Sequence, residues 1–194
     1  MLPQPLENLI NRISDLPGIG RRQAARLAFF LLNQPVKELR GLAEAVTGIK
    51  SIKTCSRCFN FTEEDLCVYC RNKNRDQQII CAVEDAMDIA TIEKTGQYKG
   101  VYHVLGGLIS PLDKITPDKL KIKELFSRLK KEPVKELIMA LNPTTEGDAT
   151  ILYIERLLKE APIKITRLAR GLSTGSDLEY ADDSTMINAL LGRK

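Results

Sequence analysis

Four cysteines fall in one short window, as Cys55-Ser-Arg-Cys58 and, after eight residues, Cys67-Val-Tyr-Cys70. Each pair has the spacing with which two thiolates bite one ion, and two such clamps complete a tetrahedron. A shell of four thiolates leaves no open position to activate water, so the chemistry is structural and the expected ion is Zn²⁺, one per chain. Binding of that kind supplies on the order of 10–16 kcal/mol to a module too small to build its own core. The alternative is a pair of disulfides, which an intracellular chain disfavours. The fifth cysteine, Cys81, lies in an apolar run and reads as a small packed side chain.

A second group is Leu16-Pro17-Gly18-Ile19-Gly20-Arg21-Arg22, followed by an amphipathic stretch that includes Arg26. Glycine tolerates a tight turn and close backbone approach. Free N–H groups in such a turn, at the start of a helix, suit an anion such as a DNA phosphate. Gly18, Gly20, Arg21, Arg22 and Arg26 are therefore the expected DNA-binding residues. The plainer alternative is an ordinary glycine-containing turn between helices. The motif is not a dinucleotide fingerprint, because Gln23 stands where a third glycine belongs and no strand precedes it.

The third group is acidic: Glu84, then Glu146 and Asp148 in Asn142-Pro-Thr-Thr-Glu146-Gly-Asp148. In a parallel sheet these positions would share the carboxyl edge, where ligands bind. There they could hold Mg²⁺ through a few oxygens and retained waters. Equally, Asp85 and Asp148 precede helices and could cap them. The only histidine, His103, sits inside an apolar run with no nucleophile in evidence, and reads as a partly buried, satisfied side chain.

Positioning these groups requires several elements. Residues 1–54 read as helical, with Leu6, Leu9, Ile10 and Ile13, then Ala24, Leu27, Ala28, Leu31 and Leu32, at helix spacing. Residues 55–70 form the cysteine module. From residue 78 to 173, apolar runs at 79–83, 101–105, 134–141 and 163–168 alternate with helical patterns at 85–94, 117–131 and 148–161. That alternation predicts βαβ units and a parallel sheet. Residues 174–194 form a short acidic tail with a helical end. The fold class is thus α/β with small appended modules.

The 194 residues carry 29 basic and 25 acidic side chains, for a net charge of +4. This permits nucleic-acid binding without demanding it. With no Trp, five Tyr and five Phe, a base-stacking platform is disfavoured. The longest apolar runs, such as 27–32, are far short of the roughly 20 residues that span a bilayer. The start, Met1-Leu-Pro-Gln-Pro, is not a signal sequence, so a cytoplasmic location is expected.

The order of hairpin glycines, four-cysteine knuckle and α/β unit with Glu84 and Glu146-x-Asp148 resembles the bacterial RecR recombination mediator family. The likeness covers essentially the whole chain, through 16–32, 55–70, 102–112, 142–150 and 171–180, with Gly192-Arg193 at the end. The α/β unit is similar to a Toprim domain, and the N-terminal module to a helix–hairpin–helix. The resemblance implies a non-enzymatic role in DNA repair and recombination, acting with RecO and RecF to load RecA on gapped single-stranded DNA. It also implies a homo-oligomeric ring, commonly a tetramer, able to encircle DNA, with tail residues 174–194 as an oligomerisation or partner segment. The family's hairpin contacts map onto Arg22, a lysine elsewhere, and Arg26; Arg21 replaces a proline. Glu146 replaces the first aspartate of the catalytic Toprim pattern, and Ser173 and Ser176 replace a proline and a glycine. A Mg²⁺-dependent Toprim nuclease or primase-like enzyme is the competing expectation, and a purely structural zinc adaptor a third.

Overall fold

In the computed structural model, which describes residues 2–193, the chain divides into two compact units, Met1–Ile52 and Lys53–Lys194. The first is built from α1 (Gln4–Ser14), α2 (Arg21–Leu32) and α3 (Val36–Gly48). Leu6 and Ile10 of α1 pack on Ala24 and Ala28 of α2, with Leu9, Ile13 and Ile19 alongside. The two small alanines let the helix axes approach. That places the buried stripe of α2 on alanine rather than leucine, and Leu32 is left exposed. Pro35 breaks the chain before α3, which buries none of its side chains.

The second unit starts with β1 (Lys53–Thr54) paired antiparallel to β2 (Phe61–Thr62), then α4 (Val68–Arg71). There follow β3 (Asp76–Val83), α5 (Ala86–Glu93), β4 (Gly100–Val104), α6 (Ile122–Lys131), β5 (Glu136–Ala140), α7 (Thr145–Leu157) and β6 (Lys164–Arg167). The four long strands form one sheet in the order β4-β3-β5-β6 with every pairing parallel, as the alternation predicts. In register, Cys81 lies between Tyr102 and Ile138. One sheet face carries Ile80, Ala82, Leu137 and Met139 against Leu125 and Leu129 of α6 and Ile151 and Ile154 of α7. The opposite face carries Cys81, Val83, Tyr102 and Val104 against Ile89 of α5. Burial of both faces explains why the buried parts of β3, β4 and β5 read as apolar runs, whereas the edge strand β6 stays half-exposed.

Two helices differ from expectation. The stretch 117–131 is not one helix: a single 3₁₀ turn at Pro117–Lys119 is followed by an extended Leu120, whose side chain drops into the core, and α6 begins at Ile122. The helix expected at 148–161 begins at Thr145, because the Thr144 hydroxyl caps it by accepting the Gly147 N–H at 3.1 Å. Asp148 is therefore not its cap. Asp85 does cap α5, accepting from Met87 N–H while Asp88 accepts from Asp85 N–H, a reciprocal capping box. After β6 the chain passes a 3₁₀ turn at Leu178–Tyr180 into α8 (Asp183–Leu191), capped by Asp182. Gly171 packs against Ala189 of α8. The turn that departs from the family pattern closes on itself, with the Ser176 N–H and hydroxyl both donating to the Ser173 carbonyl. No helix among the described residues is long and apolar enough to cross a membrane.

Candidate metal centre and nucleic-acid-facing hairpin

The four sulfurs of Cys55, Cys58, Cys67 and Cys70 converge so that all lie within 4.8 Å of one another, and all four residues are buried. An ion bound tetrahedrally at about 2.3 Å from each sulfur needs neighbouring sulfurs about 3.8 Å apart. The cluster brackets that spacing; Cys58 and Cys67 lie 3.4 Å apart. All five cysteines are free thiols, so the disulfide alternative is overturned. The backbone builds the site locally. Cys55 N–H donates to Asn60 O at 2.8 Å, and Phe59 N–H to Cys55 O at 3.0 Å, which forces Phe59 into a positive φ of 65°. Cys67 N–H donates to Cys55 Sγ at 3.3 Å, a contact that supports a thiolate. The residues fit a structural Zn²⁺.

The module is fastened to the sheet. Val104 N–H donates to Cys58 O at 2.8 Å, covering part of the β4 edge. Arg57 grips Glu132 with Nε and Nη2 at 2.9 and 2.8 Å, and donates to Gln77 at 2.7 Å. Glu132 also accepts from Arg128 Nε at 3.0 Å. Burial alone would raise the Glu132 carboxyl, but these guanidinium hydrogen bonds outweigh it and hold it below the usual carboxylate value. Tyr69 packs edge-on to Tyr102 at 5.3 Å, and Arg75 lies over Tyr69 while pairing with Glu93. Phe59 packs edge-on to His103. His103 is fully buried, not partly; its Nε2 is 2.8 Å from Lys121 O, and burial pushes its pKa down to about 4. Cys81 is a packed side chain whose thiol burial pushes up to about 12. Of the Arg57–Glu132–Arg128 link, sequence showed only that Arg128 and Glu132 are four apart on a helix-like stretch; the partner Arg57 lies 75 residues away from Glu132.

In the N-terminal unit, Gly18 adopts φ +78° with open space around it, so the dihedral and not crowding requires glycine. Gly20 is the N-cap of α2 and supplies no side-chain cap, and the first turn holds no acidic residue. The N-cap residue thus offers the first-turn N–H groups no side-chain acceptor. Arg22 and Arg26, one turn apart and exposed, make no ion pair or side-chain hydrogen bond among the described residues. Arg21 differs: it donates to Asn11 at 3.0 Å and lies 3.8 Å from Glu7, tying α2 to α1.

The strand-end carboxylates are not gathered. The cysteine cluster is the one group of potential metal ligands within 4.8 Å of one another among the described residues, and Glu84, Glu146 and Asp148 are not in it. Glu84 follows β3 and accepts from Asn142 Nδ2 at 2.7 Å. Asp148 is held by both terminal nitrogens of Arg170 at 2.6 and 3.0 Å, with Arg167 at 3.9 Å, and the Arg170 hydrogen bond keeps its carboxyl below the usual range. The possible Mg²⁺ site finds no support here: a guanidinium from beyond the end of β6 holds one of its three candidate ligands. Nothing in the sequence near Asp148 signals Arg170, 22 residues on.

A family model described as the helix-hairpin-helix of RecR matches residues 6–49, one described as the RecR zinc finger domain of four cysteines matches 52–72, a Toprim domain model matches 78–169, and a RecR C-terminal model matches 171–194. The chain is 48% identical over 192 residues to Recombination protein RecR of Carboxydothermus hydrogenoformans, covering 98% of this chain and 96% of that one. It is 51% identical over 193 residues to the protein of the same name from Moorella thermoacetica, covering 98% and 96%, and 48% identical over 193 residues to that of Herpetosiphon aurantiacus, covering 99% and 95%.

Proposed function

The chain belongs to the RecR family of recombination proteins, and on that footing we propose that it is a DNA-binding mediator of recombinational repair that performs no chemistry itself. The observation that carries the reading is the α2 start: a glycine turn, an N-terminus without a side-chain cap, and Arg22 and Arg26 without an ion-pair partner among the described residues. That arrangement can bind a backbone phosphate through N–H groups and two mobile cations, without reading bases. One such hairpin on a chain of net charge +4 binds weakly, and several on a symmetric ring gain avidity. Self-assembly is supported by apolar side chains left on the surface of α2 and α3, including Phe30, Leu32, Leu42 and Val46; the tetramer is what the family resemblance implies. The mediator acts with RecO and RecF, in the cytoplasm, to place RecA on gapped DNA. The non-enzymatic reading is supported by the engagement of Glu84 with Asn142 and of Asp148 with Arg170.

The test is retention of gapped circular DNA by the full-length, zinc-loaded protein in Mg²⁺, scored for strand integrity as well. Salt-sensitive retention with intact strands is expected. Arg22→Ala with Arg26→Ala lowers affinity on all sequences and flattens the log–log salt dependence by about 2 for each engaged hairpin, as two phosphate contacts are lost. An unchanged slope removes these residues from the DNA site. Cleavage or extension that vanishes in Glu84→Ala puts the enzyme reading first.

A further inference from the structure

On the α/β unit, α6 and α7 leave a groove of about 730 Å³ between them, lined by none of the four cysteines and none of Glu84, Glu146 and Asp148. Ile122 and Phe126 of α6 form its floor, and Tyr153 and Leu157 of α7 form its wall. The core-facing side of α7 is taken by Ile151 and Ile154. Tyr153 and Leu157, one turn apart, are left 37% and 53% exposed. The groove continues past Phe126 and Leu157 into a second opening of about 430 Å³ bordered by Val134, Leu158 and Ile163. The two openings share Phe126, Lys130 and Leu157, and the second also takes in Glu132.

Its rim is basic. Lys123 and Lys130 line it, and neither makes an ion pair or side-chain hydrogen bond among the described residues. Other cations of the same stretch are already engaged: Lys121 with Glu124, and Arg128 with Glu132. Asp118 is the one carboxylate of the main opening. The lining mixes apolar side chains with polar ones, and its one well-exposed ring is Tyr153, so it offers no row of rings on which successive bases could stack. A groove with apolar side chains inside and two lysines on its rim, of which Lys123 also faces Asp118, complements a segment with an apolar anchor and flanking carboxylates.

We propose that the α6–α7 groove docks an acidic, extended peptide segment of a partner protein, seating an aromatic or branched aliphatic side chain against Phe126, Tyr153 and Leu157 and its carboxylates on Lys123 and Lys130. The groove shares no residue with the α2 hairpin. Occupying the one with a partner's acidic segment therefore consumes none of the DNA contacts assigned to the other.

The test uses fluorescence anisotropy with the full-length protein. The probe is a fluorescein-labelled ten-residue peptide with a central Phe-Leu pair between Asp and Glu residues. Saturable binding is expected, and binding is lost when the acidic residues of the probe become lysine or its Phe-Leu pair becomes serine. Lys123→Glu with Lys130→Glu weakens the probe about tenfold, and Tyr153→Ala weakens it severalfold, with unchanged circular dichroism. Arg22→Ala with Arg26→Ala leaves the probe's affinity untouched, so failure of the hairpin reading and failure of this one are distinguishable. Absence of saturable binding, or affinity indifferent to Lys123 and Lys130, overturns the proposal. So does a double lysine variant that loses oligothymidine retention and keeps the peptide, which would make the rim a nucleic-acid surface. A fall in oligomer mass by light scattering in that variant would assign the groove to a second copy of the chain and overturn it as well.

Discussion

Replacing Glu132 by alanine tests how the cysteine module is held. Glu132 bridges two guanidinium groups: Arg57, whose side chain is 26% exposed, and Arg128, at 5%. Without the carboxylate, Arg128 keeps only the Tyr102 carbonyl at 2.7 Å, and its Nη2 already lacks a partner. Removing one member of a buried pair costs about 3–5 kcal/mol because an uncompensated charge stays behind. Glu132 is 22% exposed, so water can reach part of the gap, and the lower end, about 3 kcal/mol, applies. Loss of the more exposed Arg57 contact adds about 0.5 kcal/mol. For a unit of this size that is a fall in Tm of about 10 °C. The assay is thermal and urea unfolding of zinc-saturated protein followed by far-ultraviolet circular dichroism. Arg57→Ala alone is expected to cost about 0.5–1 kcal/mol. Glu132→Ala combined with Arg128→Met removes charge and counter-charge together and returns to within about 1 kcal/mol of the parent. A loss below about 1 kcal/mol in Glu132→Ala, or a double variant no better than the single, would refute the assignment of the cost to a stranded Arg128.

Cys58→Ser is expected to abolish the roughly one zinc per chain of the parent and to unfold the module, read by elemental analysis and by chelator-induced loss of structure in the parent; a metal-free, fully folded parent would contradict it. Acid should weaken the fold through His103. Its folded pKa of about 4 lies below the ordinary 6.5, so between those values the unfolded chain binds the extra proton. The stabilisation from keeping it neutral is complete above about pH 6.5 and is lost as pH falls toward 4, amounting to about 3 kcal/mol at about 1.36 kcal/mol per pH unit. His103→Gln should flatten urea-derived stability across that window, and an identical profile in the variant would count against it. Gly147→Ala should cost about 3 kcal/mol or more, because its Cβ would run into the Asn142 backbone carbonyl; stability measured within about 1 kcal/mol of the parent would show that the turn before α7 yields.

Features that depend on neighbours in the chain were legible in the sequence. Two C-x₂-C clamps close on one point because each spans a single turn, and the short β1–β2 ladder brings them together. The parallel sheet was legible because strands buried on both faces must be apolar throughout and must be joined by helices. The Asp85 cap and the Gly18 turn are likewise fixed within a few residues. The hairpin glycines, by contrast, do not reveal that Arg21 turns back to Asn11 while Arg22 and Arg26 find no ion-pair partner among the described residues; that follows from how α1 lies against α2.

Long-range pairing decided the rest. Glu84 directly follows β3 while Glu146 and Asp148 lie in the first turn of α7, yet a carboxylate's role is set by whichever charge the fold brings nearest, and for Asp148 that is Arg170. Arg57 sits between Cys55 and Cys58, and only the fold brings it Glu132 from the end of α6 and Gln77 from β3. His103 is polar by type and neutral by burial, because β4 carries it beneath Phe59. Sequence determined which groups exist and which turns they occupy. Tertiary structure decided which charges are already satisfied, since hydrogen bonding and Coulomb attraction act over a few ångströms of space, whatever the distance along the chain.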